Sequence, residues 1–395
     1  MRLNNNIKYG FIQNFSRKLP KYSSPGLKPI YKDIINSKNY DNHSAIFFNK
    51  CGDDMFWVFL HNTNRGLTQG GARFKEYNDL INIIDDGLRL SKGMSYKNAL
   101  ADLQWGGGKA IIDSKTKSDK CLKNFGKFIS KLSGCYYTAE DLNLGTRDMD
   151  YIHRYTRFVT CVSEEIGGSG NPSKYTAEGV VSALDEVLKH KNMDYSQIHI
   201  GIEGIGNVGR NVLSKIQLRN PKLIFIQDID QNKLEFYRDI PNIHITPNVI
   251  NEPIHVYMPC ALGGTLNKQT IPNLTNTIIC GAANNQLEDD HCAELLYLNG
   301  IEYIPDYLIN RMGIVNCANE MYGQLKNDDE INKHFDLNYK YSIPTIVNKI
   351  LENKNGNNLN KIHDISIDML NKNRNDERVL KIMEQVCNNM LTETF

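Results

Sequence analysis

The feature of the sequence that most constrains its fold is a glycine-rich turn in the second half of the chain. This turn follows an alternating apolar segment at residues 198–203 and precedes a helical pattern. Its first glycine permits a tight turn, its second lets the backbone approach a pyrophosphate, and its third lets a helix pack closely on a strand. The turn therefore predicts a dinucleotide site. Its predicted cofactor contacts are Gly204, Gly206, Asn207, Val208 and Gly209.

An acidic residue follows the next apolar segment and narrows the choice of cofactor. Asp228 lies two positions after the run at residues 223–226 and 19 residues after Gly209. A carboxylate at this place accepts hydrogen bonds from the adenosine ribose hydroxyls and repels a 2′-phosphate. Asp228 therefore favours NAD over NADP.

Short apolar segments alternate with helical stretches along much of the chain. Segments typical of strands lie at 198–202, 223–226, 278–279 and 303–304, and residues 79–93 have helical spacing. Strands separated by helices predict parallel pairing, and 395 residues are enough for two domains. We therefore expect an α/β protein of two domains with a cleft between them. The second would be a Rossmann domain with a doubly wound parallel sheet.

Charge and cysteine content exclude several classes of function. Lys and Arg number 46 and Asp and Glu number 45, so the balance gives no reason to expect a nucleic-acid or membrane partner. The nine cysteines are scattered and form no CxxC motif, which is typical of reduced thiols rather than of disulfides or a zinc site. We predict no metal site and a cytoplasmic location.

The N-terminal segment differs from the rest of the chain in charge. No acidic residue precedes Asp33, whereas seven Lys and Arg residues do. This composition fits either a disordered basic extension or a segment that targets an organelle. We therefore predict that residues 1–35 form a basic extension. If this extension is a targeting segment, the protein would be located in an organelle.

Three motifs in the first half are the most specific part of the sequence. They are Gly70-Gly71-Ala72-Arg73, Met94-Ser95-Tyr96-Lys97-Asn98-Ala99 and Gly106-Gly107-Gly108-Lys109. With these motifs the sequence resembles the glutamate/leucine/phenylalanine/valine dehydrogenase family, and its leucine dehydrogenase-like branch in particular. Further matching motifs follow in the order of the family, at 138–141, 168–173, 259–263, 282–286 and 305–310.

The resemblance covers roughly residues 40–355 and implies a division of the chain by role. It implies a catalytic and oligomerisation domain at 36–160 and an NAD-binding Rossmann domain at 161–357. A helical segment at 358–395 would pack back on the first domain. Relatives of this kind are homo-oligomers assembled through the first domain, and the same is expected here.

Deamination of an amino acid needs a cation for the carboxylate, a base that activates water, and a group that moves the amine proton. Lys97 could hold the carboxylate as a point charge. Lys109, close to Lys97 and buried, could have a lowered pKa and act as the base. Asp141 could relay protons and offset the two positive charges. The resemblance assigns these three roles to the same three positions.

The resemblance implies further contacts with substrate and cofactor. Thr176 matches a threonine near the nicotinamide ribose, although it could also cap the helix that follows. The other implied cofactor contacts are Cys260, Ala261, Ala283 and Asn284. The implied substrate contacts are Gly71, Gln69, Ala139, Asn285, Asn310, Ile314 and Cys317.

Two departures from the family pattern leave the substrate open. Gln69 stands where the leucine-like branch has an apolar residue and the glutamate branch a lysine. A buried amide costs free energy unless it has a partner, so Gln69 either contacts a polar substrate tail or points away. Arg311 replaces a small residue and could shrink the pocket, bind a second carboxylate or face the solvent.

The function expected from these residues is reversible, NAD-dependent oxidative deamination of an L-amino acid to its 2-oxo acid and ammonia. The substrate would be leucine-, valine- or phenylalanine-like, or of mixed polarity. The alternatives are a non-catalytic, NAD-binding regulatory homologue and an NADP-dependent glutamate dehydrogenase. Retention of Lys97, Lys109 and Asp141 opposes the first alternative. Asp228 and the absence of lysine at position 69 oppose the second.

Overall fold

The chain forms two compact units in a computed structural model. The model describes residues 9–13, 21–22, 27–274, 278–325, 327–372 and 377–391. The first unit comprises the described residues of Met1–Asn171, Cys317–Leu325 and Ile367–Phe395. The second unit comprises those of Pro172–Asn316 and Lys326–Ser366. The sequence placed the first boundary between residues 160 and 161, whereas the contacts of the fold place it at residues 171 and 172.

A mixed sheet of seven strands forms the centre of the described part of the first unit. The strands are β1 (Tyr9–Gln13), β2 (Lys21–Tyr22), β3 (Ala45–Cys51), β4 (Asp54–Asn62), β5 (Thr68–Phe74), β6 (Gly106–Asp113) and β7 (Tyr136–Ala139). Their order is β2-β1-β3-β4-β6-β5-β7. Pairing is antiparallel from β2 to β6 and parallel where β5 pairs with β6 and β7.

Helices cover this sheet, and one of them packs along its functional part. They include α1 (Lys28–Asn36), α2 (Leu80–Leu100), α3 (Asp119–Lys131) and α4 (Thr146–His153). Helix α2 begins after Asp79, whose side chain accepts a hydrogen bond from the Ile81 amide, and it packs on β4 and β6. The predicted helical spacing at 79–93 is confirmed, and the helix continues to Leu100.

The second unit contains the predicted doubly wound parallel sheet. Its described strands are β8 (His199–Glu203), β9 (Leu223–Gln227), β10 (Ile243–Ile245), β11 (Val256–Pro259), β12 (Ile278–Ile279) and β13 (Glu302–Tyr303). They are ordered β10-β9-β8-β11-β12-β13, and every pair is parallel. The chain order reverses beside β8, which is where ligands bind in open sheets of this kind.

Helices flank the strands of the second unit and continue into the C-terminal part. They are α5 (Ser173–His190), α6 (Asn207–Gln217), α7 (His291–Leu298), α8 (Asp306–Ile309), α9 (Met312–Met321), α10 (Asp328–Asn332), α11 (Ile343–Glu352), α12 (Asn358–Lys372) and α13 (Glu377–Leu391). The helical prediction for 358–395 is confirmed over α12 and α13. Helix α13 packs on β1, whereas residues 358–366 belong to the second unit.

Part of the predicted N-terminal extension is folded. Strand β1 pairs with β3 over five residues, and α1 buries Ile30 and Ile34 against the first unit. No helix in the described part of the chain is long and apolar enough to cross a membrane.

Candidate active site

Three of the predicted site residues lie on adjacent strands of the first unit's sheet. Gln69 and Gly71 lie two residues apart on β5 and so share one face of the strand, and Gln69 pairs with Gly107 on β6. A side chain at residue 107 would meet the Ser95 hydroxyl of α2 at 2.1 Å, so only glycine lets this helix pack there. Lys109 lies two residues further along β6 and therefore faces the same side.

A buried ion pair joins the two predicted catalytic residues. The Lys109 ammonium donates to Oδ2 of Asp141 at 2.8 Å, and Lys109 is 5% exposed. Burial, together with the nearby positive charge of Arg73, lowers the pKa of Lys109 although Asp141 opposes this shift. Burial would raise the pKa of Asp141, but the charges of Lys109 and Arg73 outweigh it and lower the pKa to about 2.

Arg73 is a member of this site to which the sequence analysis gave no role. Its Nε lies 3.4 Å from Oδ2 of Asp141, and its Nη1 lies 2.9 Å from Oδ2 of Asp86. The hydroxyl of Tyr77 donates to the same Asp86 oxygen at 2.7 Å, and Arg89 binds the other oxygen at 3.0 Å. Asp141 thus forms ion pairs with both Lys109 and Arg73.

A second carboxyl group lies beside Asp141. Burial raises the pKa of Glu140 to about 7, and the neighbouring charge of Asp141 adds to this shift. The Thr146 hydroxyl donates to Oε2 of Glu140 at 3.3 Å. Glu140 therefore titrates near neutrality, whereas Asp141 remains charged.

Lys97 lies in the last turn of α2 and is partly buried. Its neighbour Asn98 donates through Nδ2 to the Gly106 carbonyl at 2.8 Å. This bond fixes the last turn of α2 against the start of β6, the strand that carries Lys109. The role of Lys97 in holding a carboxylate stays a prediction.

Gln69 is buried without the partners that an amide needs. It is 1% exposed, and neither its Nε2 nor its Oε1 has a hydrogen-bond partner among the residues that the structure describes. Ala139 and Cys317 are also buried residues of the first unit, while Ile314 is a buried residue of the second unit. The amide of Gln69 thus offers a free donor and a free acceptor beneath α2.

The glycine-rich turn of the second unit has the geometry that a dinucleotide needs. Gly204 has a φ of +94°, and a side chain there would meet Ala261 at 2.7 Å. A side chain at Gly209 would lie 1.9 Å from the Gly204 carbonyl oxygen, so α6 reaches β8 only because this residue is glycine. Gly206 faces open space. These residues fit a pyrophosphate at the N-terminus of α6.

Asp228 lies beside this turn as a charged group. Its Oδ2 accepts a hydrogen bond from the Ile205 amide at 2.7 Å, and its Oδ1 accepts one from the Asp230 amide at 2.9 Å. The ammonium of Lys233 lies 3.3 Å from Oδ1. Burial opposes ionisation, but these three donors outweigh it and lower the pKa of Asp228.

The asparagines that were predicted to contact substrate or cofactor lie together in the second unit. Nδ2 of Asn310 donates to Oδ1 of Asn284 at 2.9 Å and to the Ala282 carbonyl at 3.1 Å. The backbone N–H of Asn285 donates to Oδ2 of Asp306 at 2.6 Å, and Asn285 has a φ of 54°. The contacts that the sequence assigned to these residues and to Ala283 stay predictions.

Three other predicted positions have structural partners within their own units. Thr176 does not cap α5, because this helix begins at Ser173; its hydroxyl instead donates back to the Pro172 carbonyl at 3.3 Å. The Cys260 amide donates to the Glu203 carbonyl at 2.7 Å. Arg311 is fully buried and donates to the Tyr341 carbonyl, so the alternative that it faces solvent is wrong.

Comparisons with known proteins show the family to which the chain belongs. Residues 55–158 match the family model described as Glu/Leu/Phe/Val dehydrogenase, dimerisation domain. Residues 167–232 match that described as Glutamate/Leucine/Phenylalanine/Valine dehydrogenase. A leucine dehydrogenase from Bacillus cereus is 39% identical over 275 residues, which are 67% of this chain and 74% of the relative. A phenylalanine dehydrogenase from Lysinibacillus sphaericus is 34% identical over 329 residues, which are 79% of this chain and 84% of the relative.

A solved structure supports the same assignment. The L-tryptophan dehydrogenase from Nostoc punctiforme matches with a TM-score of 0.68 and 29% identity, covering 84% of this chain and 96% of that one. The fold, the site and these relatives define an oxidoreductase of the amino acid dehydrogenase class. Within this class the chain belongs to the glutamate/leucine/phenylalanine/valine dehydrogenase family and is leucine dehydrogenase-like, as its motifs predicted.

Proposed function

We propose that the chain catalyses reversible, NAD-dependent oxidative deamination of an L-amino acid to its 2-oxo acid and ammonia. The observation that carries this proposal is the buried pair of Lys109 and Asp141, 2.8 Å apart, in which the pKa of the lysine is lowered. A lowered pKa is what general-base catalysis by a buried lysine requires. The nicotinamide, when bound, supplies a hydride acceptor for the substrate Cα.

Each of the three charged residues has a separate task in this proposal. Lys97 holds the substrate carboxylate. The neutral amine of Lys109 takes a proton from the water that attacks the imino carbon. Asp141 moves protons to and from the substrate nitrogen, and its negative charge holds Lys109 in place between turnovers. Gly71 packs closely against Asp141. A Cβ at residue 71 would lie 2.8 Å from Cβ of Asp141, so a larger residue there would displace Asp141.

The direct test is a dehydrogenase assay of the purified chain with NAD and a panel of L-amino acids, followed by NADH absorbance. We expect turnover with aliphatic, aromatic or polar uncharged substrates. Turnover with glutamate alone would support the glutamate dehydrogenase alternative. Binding of NADH without turnover of any amino acid would support the non-catalytic alternative.

The cofactor preference can be tested at Asp228. The wild-type chain should use NAD better than NADP, because the carboxylate opposes the added phosphate. Asp228→Ser should narrow this difference, because it removes the carboxylate. The variant also frees Lys233 from its 3.3 Å ion pair, so that its ammonium can bind the 2′-phosphate of NADP. The measurement is kcat/KM with each cofactor.

Lys233→Ala combined with Asp228→Ser is the matched control for this experiment. The double variant should use NADP less well than Asp228→Ser alone, since it lacks the released cation. Equal use of both cofactors by the wild-type chain would contradict the assignment of NAD.

The substrate proposal rests on the unpaired amide of Gln69. A substrate tail with a hydroxyl or carboxamide group could supply the missing partners, so polar uncharged amino acids should be used at least as well as leucine or valine. Gln69→Leu removes the unpaired donor and acceptor. We expect it to shift the preference towards leucine by roughly 1–3 kcal/mol, measured as the ratio of kcat/KM values for leucine and a polar substrate.

Gln104→Leu is the control for this shift, because Gln104 is an exposed glutamine of the same unit. It should leave the order of substrates unchanged. If the wild-type chain prefers branched aliphatic substrates and Gln69→Leu preserves that order, Gln69 does not contact the substrate tail.

Assembly and location complete the proposal. The first family model is described as a dimerisation domain and matches residues 55–158, which supports a homo-oligomer assembled through the first unit. The near-neutral charge and the scattered thiols support a cytoplasmic location, with an organelle as the alternative.

A further inference from the structure

Two thiols of the first unit lie close enough to react with each other. The Sγ atoms of Cys161 and Cys317 are 3.0 Å apart, although the residues are 156 positions apart in the sequence. Both side chains are buried, and both are free thiols. A disulfide has a sulfur–sulfur distance of about 2 Å, so its formation requires an approach of about 1 Å.

A single carboxylate holds the segment of Cys161 against the helix that carries Cys317. Oε2 of Glu320 on α9 accepts hydrogen bonds from the Cys161 amide at 2.8 Å and from the Ser169 amide at 3.0 Å. It also accepts one from the Ser169 hydroxyl at 2.6 Å. Glu320 lies one turn beyond Cys317 on α9. The same helix therefore contacts Cys161 at its backbone and at its sulfur.

The backbone of Cys161 is in a conformation that a cysteine rarely adopts. Its φ is 64°, in the left-handed region that favours glycine. Such a conformation is strained for any residue other than glycine, and it persists only where the surrounding contacts fix it. Here the bond to Glu320 fixes it, and the result is that Sγ points at Cys317.

We propose that Cys161 and Cys317 form a reversible redox pair, which a peroxide closes to a disulfide at the wall of the substrate pocket. The placement of this disulfide at the pocket rests on the proposed function, in which Cys317 contacts substrate. The formation of the disulfide does not depend on that function.

The reaction has two balanced steps. In the first, the sulfur of one thiol attacks hydrogen peroxide and the O–O bond breaks, giving a sulfenic acid and one water. In the second, the sulfur of the other thiol attacks the sulfenic sulfur, the S–O bond breaks, and a disulfide and a second water form. The two sulfurs lose two electrons in total, and the peroxide gains them. A dithiol reductant reverses the change.

The surroundings of Cys161 slow its reaction with an oxidant. The hydrogen bond with Cys317 and burial raise the pKa of Cys161 well above its ordinary value. Because the thiolate is the reactive form, closure should be slow at neutral pH and faster at alkaline pH. Hydrogen peroxide is also little larger than water, so it can reach a buried sulfur more easily than a bulky disulfide oxidant.

Closure should affect catalysis through α9. Ile314 and Cys317 lie one turn apart on this helix, and both are proposed substrate contacts. Drawing the sulfur of Cys317 towards Cys161 would change the pocket wall and fix it in one position. We expect a several-fold loss of kcat/KM that a dithiol reductant restores.

The covalent part is tested by peptide mapping of the full chain after treatment with hydrogen peroxide. Remaining thiols are alkylated under denaturing conditions before digestion. The expected product is a linked pair of peptides that contain Cys161 and Cys317, lighter by two hydrogen atoms and separated by dithiothreitol. Cys51 is only partly buried and reports that the oxidant was active. Oxidation of Cys51 with Cys161 and Cys317 both recovered as alkylated thiols would overturn the proposal.

Two variants and one control separate the redox pair from a purely structural role. Cys161→Gly adopts the left-handed backbone without strain, and Cys317→Ser keeps a small side chain on α9. In both variants the cross-link should not form, and peroxide should no longer lower the activity. Cys280→Ser removes another buried thiol and should keep both. A cross-link without any change in kcat/KM would contradict the pocket placement alone. Absence of activity in the reduced chain would contradict the proposed function alone.

Discussion

Replacing Lys109 with alanine is expected to lower kcat by roughly a hundredfold to ten-thousandfold, the usual contribution of a group that transfers a proton in catalysis. Lys109 is the buried amine bound to Asp141 at 2.8 Å, and its lowered pKa is what a base near neutrality requires. Binding of NADH should persist, because the glycine-rich turn and Asp228 lie in the second unit. The measurements are steady-state turnover and a fluorescence titration with NADH.

Lys115→Ala provides the comparison for this variant. Lys115 follows β6 closely, but its side chain is 83% exposed and lies 3.9 Å from Glu76, so its loss should leave turnover unchanged. Near-normal turnover of Lys109→Ala would remove Lys109 from the role of base. Loss of NADH binding together with turnover would instead indicate damage to the fold.

The second unit was largely predictable because its signals are local. A glycine turn between a strand and a helix has few other uses, and each predicted strand there appears in the sheet within one or two residues. Parallel pairing followed from the alternation of strands and helices. The domain boundaries were less predictable, because Cys317–Leu325 returns to the first unit and only tertiary contacts reveal this.

The catalytic pair was predictable from motifs, whereas its electrostatic surroundings were not. Arg73 stands in a quoted motif and two residues beyond Gly71, so its place on the same strand face could have been deduced from β alternation. Its link to Asp86 could not, because Asp86 lies on α2 and the contact depends on how this helix packs. The closeness of Cys161 to Cys317 likewise depends on contacts between distant segments.

The N-terminal residues were interpreted from their charge, and their short apolar segment was overlooked. The basic charge of residues 1–35 suggested an extension, yet Phe11 and Ile12 are buried in β1 and pair with β3. Strand β1 has only five residues, which is too short a segment for a clear apolar pattern, so the charge of the flanking residues dominated the interpretation. Residues 1–8, 14–20 and 23–26 lie outside the described part of the chain.

Arg73→Met is the other variant with a large expected effect, and its main readout is the pH dependence of kcat/KM. The ammonium of Lys109 and the guanidinium of Arg73 share Oδ2 of Asp141, so they lie within about 6 Å of each other. Removing the guanidinium favours the protonated form of Lys109 and raises its pKa. More alkaline solution is then needed to produce the neutral base.

The rising limb of the pH profile of Arg73→Met should therefore move to higher pH, because the positive charge of Arg73 no longer lowers the pKa of Lys109. Arg73→Lys should restore most of the profile. Arg89→Ala removes a different partner of Asp86 and should not move the limb, because Arg89 makes its bond to Asp86 at the oxygen that Arg73 does not use. A uniform loss of activity at every pH, with the limb in its original place, would show that Arg73 supports the fold rather than the charge state of Lys109.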